Sequence, residues 1–141
     1  MVRVSDDNDP RSSDRLLAPT SWGALIDRIT ILKIKQEYAP DAKQAAIIAR
    51  EIDALCAVRN RHMRANADID GLVEELSRTN RRLWESEAAI RRLGSRKDFG
   101  AGFVAIARTI YQENDRRSRI KATIDDKLAS ELVEIKIFEN W

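Results

Sequence analysis

Trp22, Leu25, Ile26, Ile29 and Leu32 recur at the three- and four-residue spacing of a helix face, behind Thr20 and Ser21, whose hydroxyls suit a helix N-cap. This spacing predicts a first helix that ends near Pro40. Ile31, Ile34 and Tyr38 add a second apolar stripe, so the helix is expected to be covered on more than one side. A β-strand through ITILKIK is the competing reading, set aside because the flanking spacing is helical. Asp41 opens a second helix, in which Ile48, Ile52, Leu55 and Val58 precede the charged run RNRHMRAN. After a turn between Asn66 and Asp70, the residues Ile69, Val73, Leu76, Leu83 and Ile90 trace a third helix, with Gly94 as its C-terminal stop. Beyond a short basic connection, Phe99, Phe103, Ile106, Ile110, Ile120, Ile124 and Leu128 trace a fourth. The closing stretch SELVEIKIFENW admits two readings. Val133, Ile135 and Ile137 alternate with charges as in a short strand, while Leu128, Leu132 and Ile135 continue the helical spacing.

No proline follows Pro40, as long uninterrupted helices require. The expected fold class is therefore all-α: a helical bundle built around one long antiparallel helix hairpin, with the C-terminal strand as an optional addition. Residues 1–18, rich in Asp, Ser and Arg, bury too little apolar surface to order themselves and are expected to form a disordered tail. Residues 19–141 are expected to form a single helical domain, because 141 residues with 43% hydrophobic and 34% charged content suit one core.

Charge and composition exclude more than they assign. A net charge of +2 gives little long-range attraction for nucleic acid or anionic membrane. One cysteine, Cys56, and one histidine, His62, rule out an internal disulfide and a classical zinc site, so neither metal nor cofactor is expected. With no hydrophobic leader at the N-terminus and no bilayer-length apolar run, the expected location is cytoplasmic. Trp22 and Trp84 read as core anchors and Trp141 as exposed, with Cys56 as core filler and His62 on the surface.

The chemistry concentrates where polar residues interrupt the apolar seams. Asn80, Trp84, Glu87 and Arg91 share one face of the third helix. On the fourth, Ile110 gives way to Asn114, Arg117 and Lys121. An antiparallel turn near Lys97 would set Asn80 opposite Asn114 and Glu87 near Arg108. Buried polar groups cost several kcal/mol unless paired, so such a layer satisfies itself or awaits a ligand. On the structural reading it fixes register, as seam asparagines do in coiled coils. The arginine clusters around Arg78 and Arg116 have carboxylates one turn away and read as solvated faces paired along their own helices.

The segments SWGALIDRITILKIK (21–35), NRRLWESEAAIRR (80–92) and FVAIARTIYQENDRRSRIKATID (103–125) resemble a bacterial family of short helical proteins that is a domain of unknown function. The resemblance singles out Trp22, Asp27, Thr30, Lys35, Asn80, Trp84, Glu87, Arg91, Arg108, Tyr111, Asn114, Asp115, Arg117 and Lys121. Ala24 and Lys33 stand where that family usually has glutamates, and Asp125 stands where it usually has asparagine. The resemblance implies a link to glycan or surface-polysaccharide synthesis and supplies no reaction.

Three functions compete. The first is an interaction or accessory module, a homodimer or a partner of another helical protein through its wide apolar stripes. The second is a small-molecule binding protein or enzyme acting on a phosphorylated or sugar-nucleotide ligand at Asn80, Trp84, Glu87, Arg91, Arg108, Tyr111, Asn114, Asp115, Arg117 and Lys121. There, Arg108, Arg117 and Lys121 would take the anion and Glu87 or Asp115 would act as acid or base. The third is nucleic-acid binding through RNRHMR and RRSRIK, disfavoured by the near-neutral balance.

Overall fold

A computed structural model of the chain describes residues 15–64 and 67–137. Four helices make it up: α1 (Trp22–Glu37), α2 (Ala42–His62), α3 (Asp70–Ser95) and α4 (Ala101–Lys127). No strand occurs among the described residues, so the chain is all-α. The expected tail is described only from residue 15, and its exposed Leu16 and Leu17 lie in irregular chain. Trp141 lies outside the described residues.

The first two N-caps are those the sequence predicts. Ser21 Oγ accepts the Ala24 N–H at 3.1 Å and Asp41 Oδ1 accepts that of Gln44 at 2.8 Å. Gly94, by contrast, does not stop α3. The helix runs on to Ser95, and Lys97 takes the left-handed conformation at φ 56°. Asp98 N–H then donates to Leu93 O at 2.9 Å and Lys97 N–H to Gly94 O at 3.0 Å, which is Schellman closure. Terminal carbonyls decided this stop, and a non-glycine residue carries its positive φ. The end of α4 is built the same way around Ala129, at φ 49°, with Ser130 N–H donating to Asp125 O at 2.8 Å.

Successive helices alternate in direction. α3 and α4 pair along most of their length, with ion pairs Arg82–Glu113 and Glu75–Arg116 crossing between them. α1 lies in the groove of that pair and α2 packs on α1 alone. This explains the two stripes of α1, whose Leu25, Ile26, Ile29, Leu32 and Ile34 are all buried, whereas α2 buries Ile52 only. Cys56 is accordingly half-buried rather than core. Ile26, Ile69, Leu76, Ile120 and Ile124 form the core at one end of the bundle, with Trp22 packed against it as expected.

The start of α1 is fastened to the end of α4. Trp22 N–H donates to Ser130 Oγ at 2.8 Å and Gly23 N–H to Asp125 Oδ1 at 2.6 Å, so the first-turn donors that a helix leaves orphaned are satisfied from α4 and its cap. The Asp125 carboxylate also meets the positive end of the α1 dipole, a charge that asparagine would not bring. Gly23 makes this approach feasible, since a Cβ there would stand 2.5 Å from the backbone oxygen of Lys121. Gly23→Ala is therefore expected to force the two helices apart and destabilise the fold by about 1–3 kcal/mol, despite alanine's higher helix propensity, as read by urea unfolding.

Candidate functional site

One turn beyond Gly23, the same face of α1 presents Asp27, a carboxylate only 4% exposed. Three helices converge on it. From α3, Asn80 Nδ2 donates to Asp27 Oδ1 and to Thr30 Oγ1, both at 2.9 Å. From α4, Arg117 forks onto the carboxylate, Nε to Oδ1 at 2.9 Å and the terminal nitrogen to Oδ2 at 2.5 Å. The Lys121 ammonium stands 3.9 Å from Oδ2. Thr30 completes the set by donating its hydroxyl to Asp27 O at 2.7 Å. A buried carboxylate so surrounded recovers its desolvation cost through charge-assisted bonds. The hydrogen bonds it donates to Asp27 hold the Arg117 guanidinium more firmly protonated than usual, against the opposing effect of burial.

Two cavities open on either side of Arg117 and Asn114. One, of about 540 Å³, lies between α1, α3 and α4 and is lined by Ile34, Asn80, Trp84, Glu87, Arg91 and Asn114 among others. Trp84 forms its aromatic wall, stacked on Tyr38 with ring centroids 5.3 Å apart. Trp84 is thus half-exposed in a cavity wall instead of anchoring the core. The other cavity, of about 580 Å³, lies between α4 and residues 134–137 and is lined by Tyr111, Asn114, Arg117 and Lys121 among others.

The polar layer therefore differs from the register-based expectation. Asn80 and Asn114 line one cavity but are not hydrogen-bonded to each other, because α1 enters the groove and its buried charge draws the Asn80 amide to itself. Glu87 does not pair with Arg108: it lies 3.7 Å from Arg91 on its own helix. Arg108 is exposed and lines neither cavity, and Asp115 turns aside to pair with Lys136 at 2.7 Å. Arg78 bonds Glu74 along α3 as expected, but Arg81 and Arg116 pair across helices, with Glu37 and Glu75. Of RRSRIK, Arg116, Arg117 and Lys121 are thus already tied to carboxylates.

Asp27 and Thr30 carried no periodicity signal. They sit on a helix otherwise read as apolar, and only the family resemblance marked them. Glu134 carried no signal at all, yet it contacts Lys121.

These features define an all-helical bundle in which a buried polar cluster borders two open cavities. The chain belongs to the family of unknown function DUF6165, whose match extends over residues 18–140. No curated protein and no solved structure matches it.

Neighbouring polar residues on α3 separate the two costs of burial. Thr79 Oγ1 is buried without a hydrogen-bond partner, so Thr79→Val is expected to leave stability within about 0.5 kcal/mol or raise it. Asn80→Ala removes two bonds, one to a charged acceptor, and is expected to cost about 1.5–3 kcal/mol in the same denaturation experiment.

Proposed function

We propose that this protein is a binding module, acting in the cytoplasm as an accessory rather than a catalyst, whose cleft between α1, α3 and α4 takes a phosphorylated or sugar-linked small molecule. The observation that carries this reading is Asn114. Its amide lies between the two cavities and makes no hydrogen bond to any described residue. An unpartnered amide supplies a donor and an acceptor where the cavity wall is otherwise largely apolar. The stacked Trp84 and Tyr38 provide a flat face for a sugar or base. Arg91, with 81% of its side chain exposed beside Glu87, is available to an anionic group.

The carboxylates argue for binding over chemistry. Asp27, only 4% exposed, accepts from Asn80 and from both arms of the Arg117 fork, and the Lys121 ammonium stands 3.9 Å from its remaining lone pair on Oδ2, so the carboxylate is committed to the fold rather than presented to a substrate. Glu87, 48% exposed, lies in the open part of the cleft beside Arg91, not in a site closed to water. A sugar-linked ligand is also the form that the resemblance's tie to glycan synthesis would take.

Self-association is a second reading, supported by the outer part of the hairpin. α1 ends at Glu37, whose partner is Arg81, so much of α3 and the first half of α4 run on beyond it. That stretch exposes Phe99, Val104 and Tyr111. Light scattering coupled to size exclusion would then return a dimer mass, reverting to monomer in a Phe99→Ser, Val104→Ser variant.

For the cleft, a thermal-shift screen of sugar phosphates and nucleotide sugars is expected to yield at least one compound that raises the melting temperature. Trp84→Ala is expected to weaken that compound by about tenfold to a hundredfold in calorimetric titration, the usual loss of one aromatic stacking partner. A screen without stabilisers, or a Trp84→Ala variant with unaltered affinity, overturns the reading.

A further inference from the structure

Lys121 is a lysine whose side chain is only 12% exposed, held between carboxylates from distant parts of the chain. One is Asp27, at 3.9 Å. The other is Glu134, in direct contact on the irregular segment after α4. Asp27 already carries the Arg117 fork, so its one negative charge is shared by two cations. Glu134 supplies the second. Taken without it, Asp27, Arg117 and Lys121 sum to one positive charge in a largely desolvated place, an arrangement that calls for an anion.

The segment bearing Glu134 is poorly held by apolar burial. Val133 is 58% exposed, Ile135 78% and Ile137 86%. Ion pairs from Glu134 to Lys121 and from Lys136 to Asp115 tie it to α4, and the Glu134 carboxylate, 55% exposed, is open to solvent, which weakens what its pair contributes. The cavity of about 580 Å³ already separates this segment from the helix, with Tyr111, Asn114, Arg117 and Lys121 in its lining. Arg117 feels Glu134 as well: after the Asp27 hydrogen bond, the Glu134 charge also favours its protonated form.

We infer that Glu134 occupies an anion site formed by Lys121 and Arg117, and that a phosphoryl group displaces it and releases residues 131–137 from α4. A dianion replaces a single carboxylate there, on a cation pair that the core holds in place. This deepens the binding reading by naming the anionic part of the ligand, and it rests on that reading only to that extent, since the site lies across Arg117 from the Trp84 wall.

Inorganic phosphate and glucose 1-phosphate, each titrated at constant ionic strength into the full chain, are the probes. With phosphate, backbone ¹⁵N order parameters over 131–137 are expected to fall below about 0.6, the flexible range, while those of α4 stay near 0.85. Glu134→Gln, which removes the competing charge at an exposed position, is expected to bind phosphate roughly fivefold more tightly. Lys121→Met is expected to abolish binding, and Trp84→Ala to leave phosphate affinity unchanged. Tighter binding of the sugar phosphate, lost in Trp84→Ala, would mark a ligand-borne phosphoryl group. Equal affinities would mark free phosphate. Unchanged order parameters at saturating phosphate, or equal phosphate affinity of Glu134→Gln and the parent, overturn the inference. Failure of the Trp84 cleft would leave the phosphate results standing, so the two readings fail separately.

Discussion

The buried carboxylate of Asp27, where three helices meet, determines how this bundle is put together. At 4% exposure it must be compensated, and its partners come from both helices of the hairpin in whose groove α1 lies. Removing the charged partner Arg117 would leave a poorly compensated buried charge, worth about 3–5 kcal/mol. The angle and depth at which α1 enters the groove are therefore tied to the positions of Asn80 and Arg117. Apolar packing alone would leave α1 freer to slide, because aliphatic side chains tolerate repacking.

The two ends of α1 are treated differently. At its start, Gly23, Asp125 and Ser130 bring backbone against backbone beside the aliphatic core. Midway along the helix, Asp27 and Thr30 hold a polar layer, and at its end Glu37 pairs with Arg81 and Tyr38 stacks on Trp84, where the cavity between α1, α3 and α4 opens. Along α1 the bundle thus passes from apolar core to polar layer to open cavity. The lock keeps Arg117 cationic and holds it and Lys121 in place, yet leaves Asn114 and the exposed Arg91 without a strong partner of their own. One cluster thus serves the fold through Asp27 and Asn80 and borders the cavities through Asn80, Asn114 and Arg117.

Much of this architecture was legible in the residue pattern. The four helices, the N-caps Ser21 and Asp41 and the antiparallel hairpin follow from three- and four-residue spacing and capping chemistry. The polar stripe of α4 was visible for the same reason. What stayed hidden depends on contacts distant in sequence. Asp27 stands between Ile26 and Arg28 on α1, and nothing local distinguishes a buried aspartate from a solvated one. Treating α3 and α4 as an isolated pair set Asn80 against Asn114, an arrangement that a third helix in the groove overrides. The apolar residues after Ser130 suited a strand or a continued helix equally, but α4 ends at Lys127 and no strand among the described residues offers a pair, so residues 131–137 are irregular chain tied down by charge.

The account stands on the coupling between Asp27 and Arg117, and a double-mutant cycle with Asp27→Asn and Arg117→Met, followed by urea unfolding, measures it most directly. The predicted result is strong non-additivity, a coupling of about 2–3 kcal/mol, the double variant costing far less than the two single changes together. Additivity within about 0.5 kcal/mol would show that the two side chains do not act as a unit and would contradict the account.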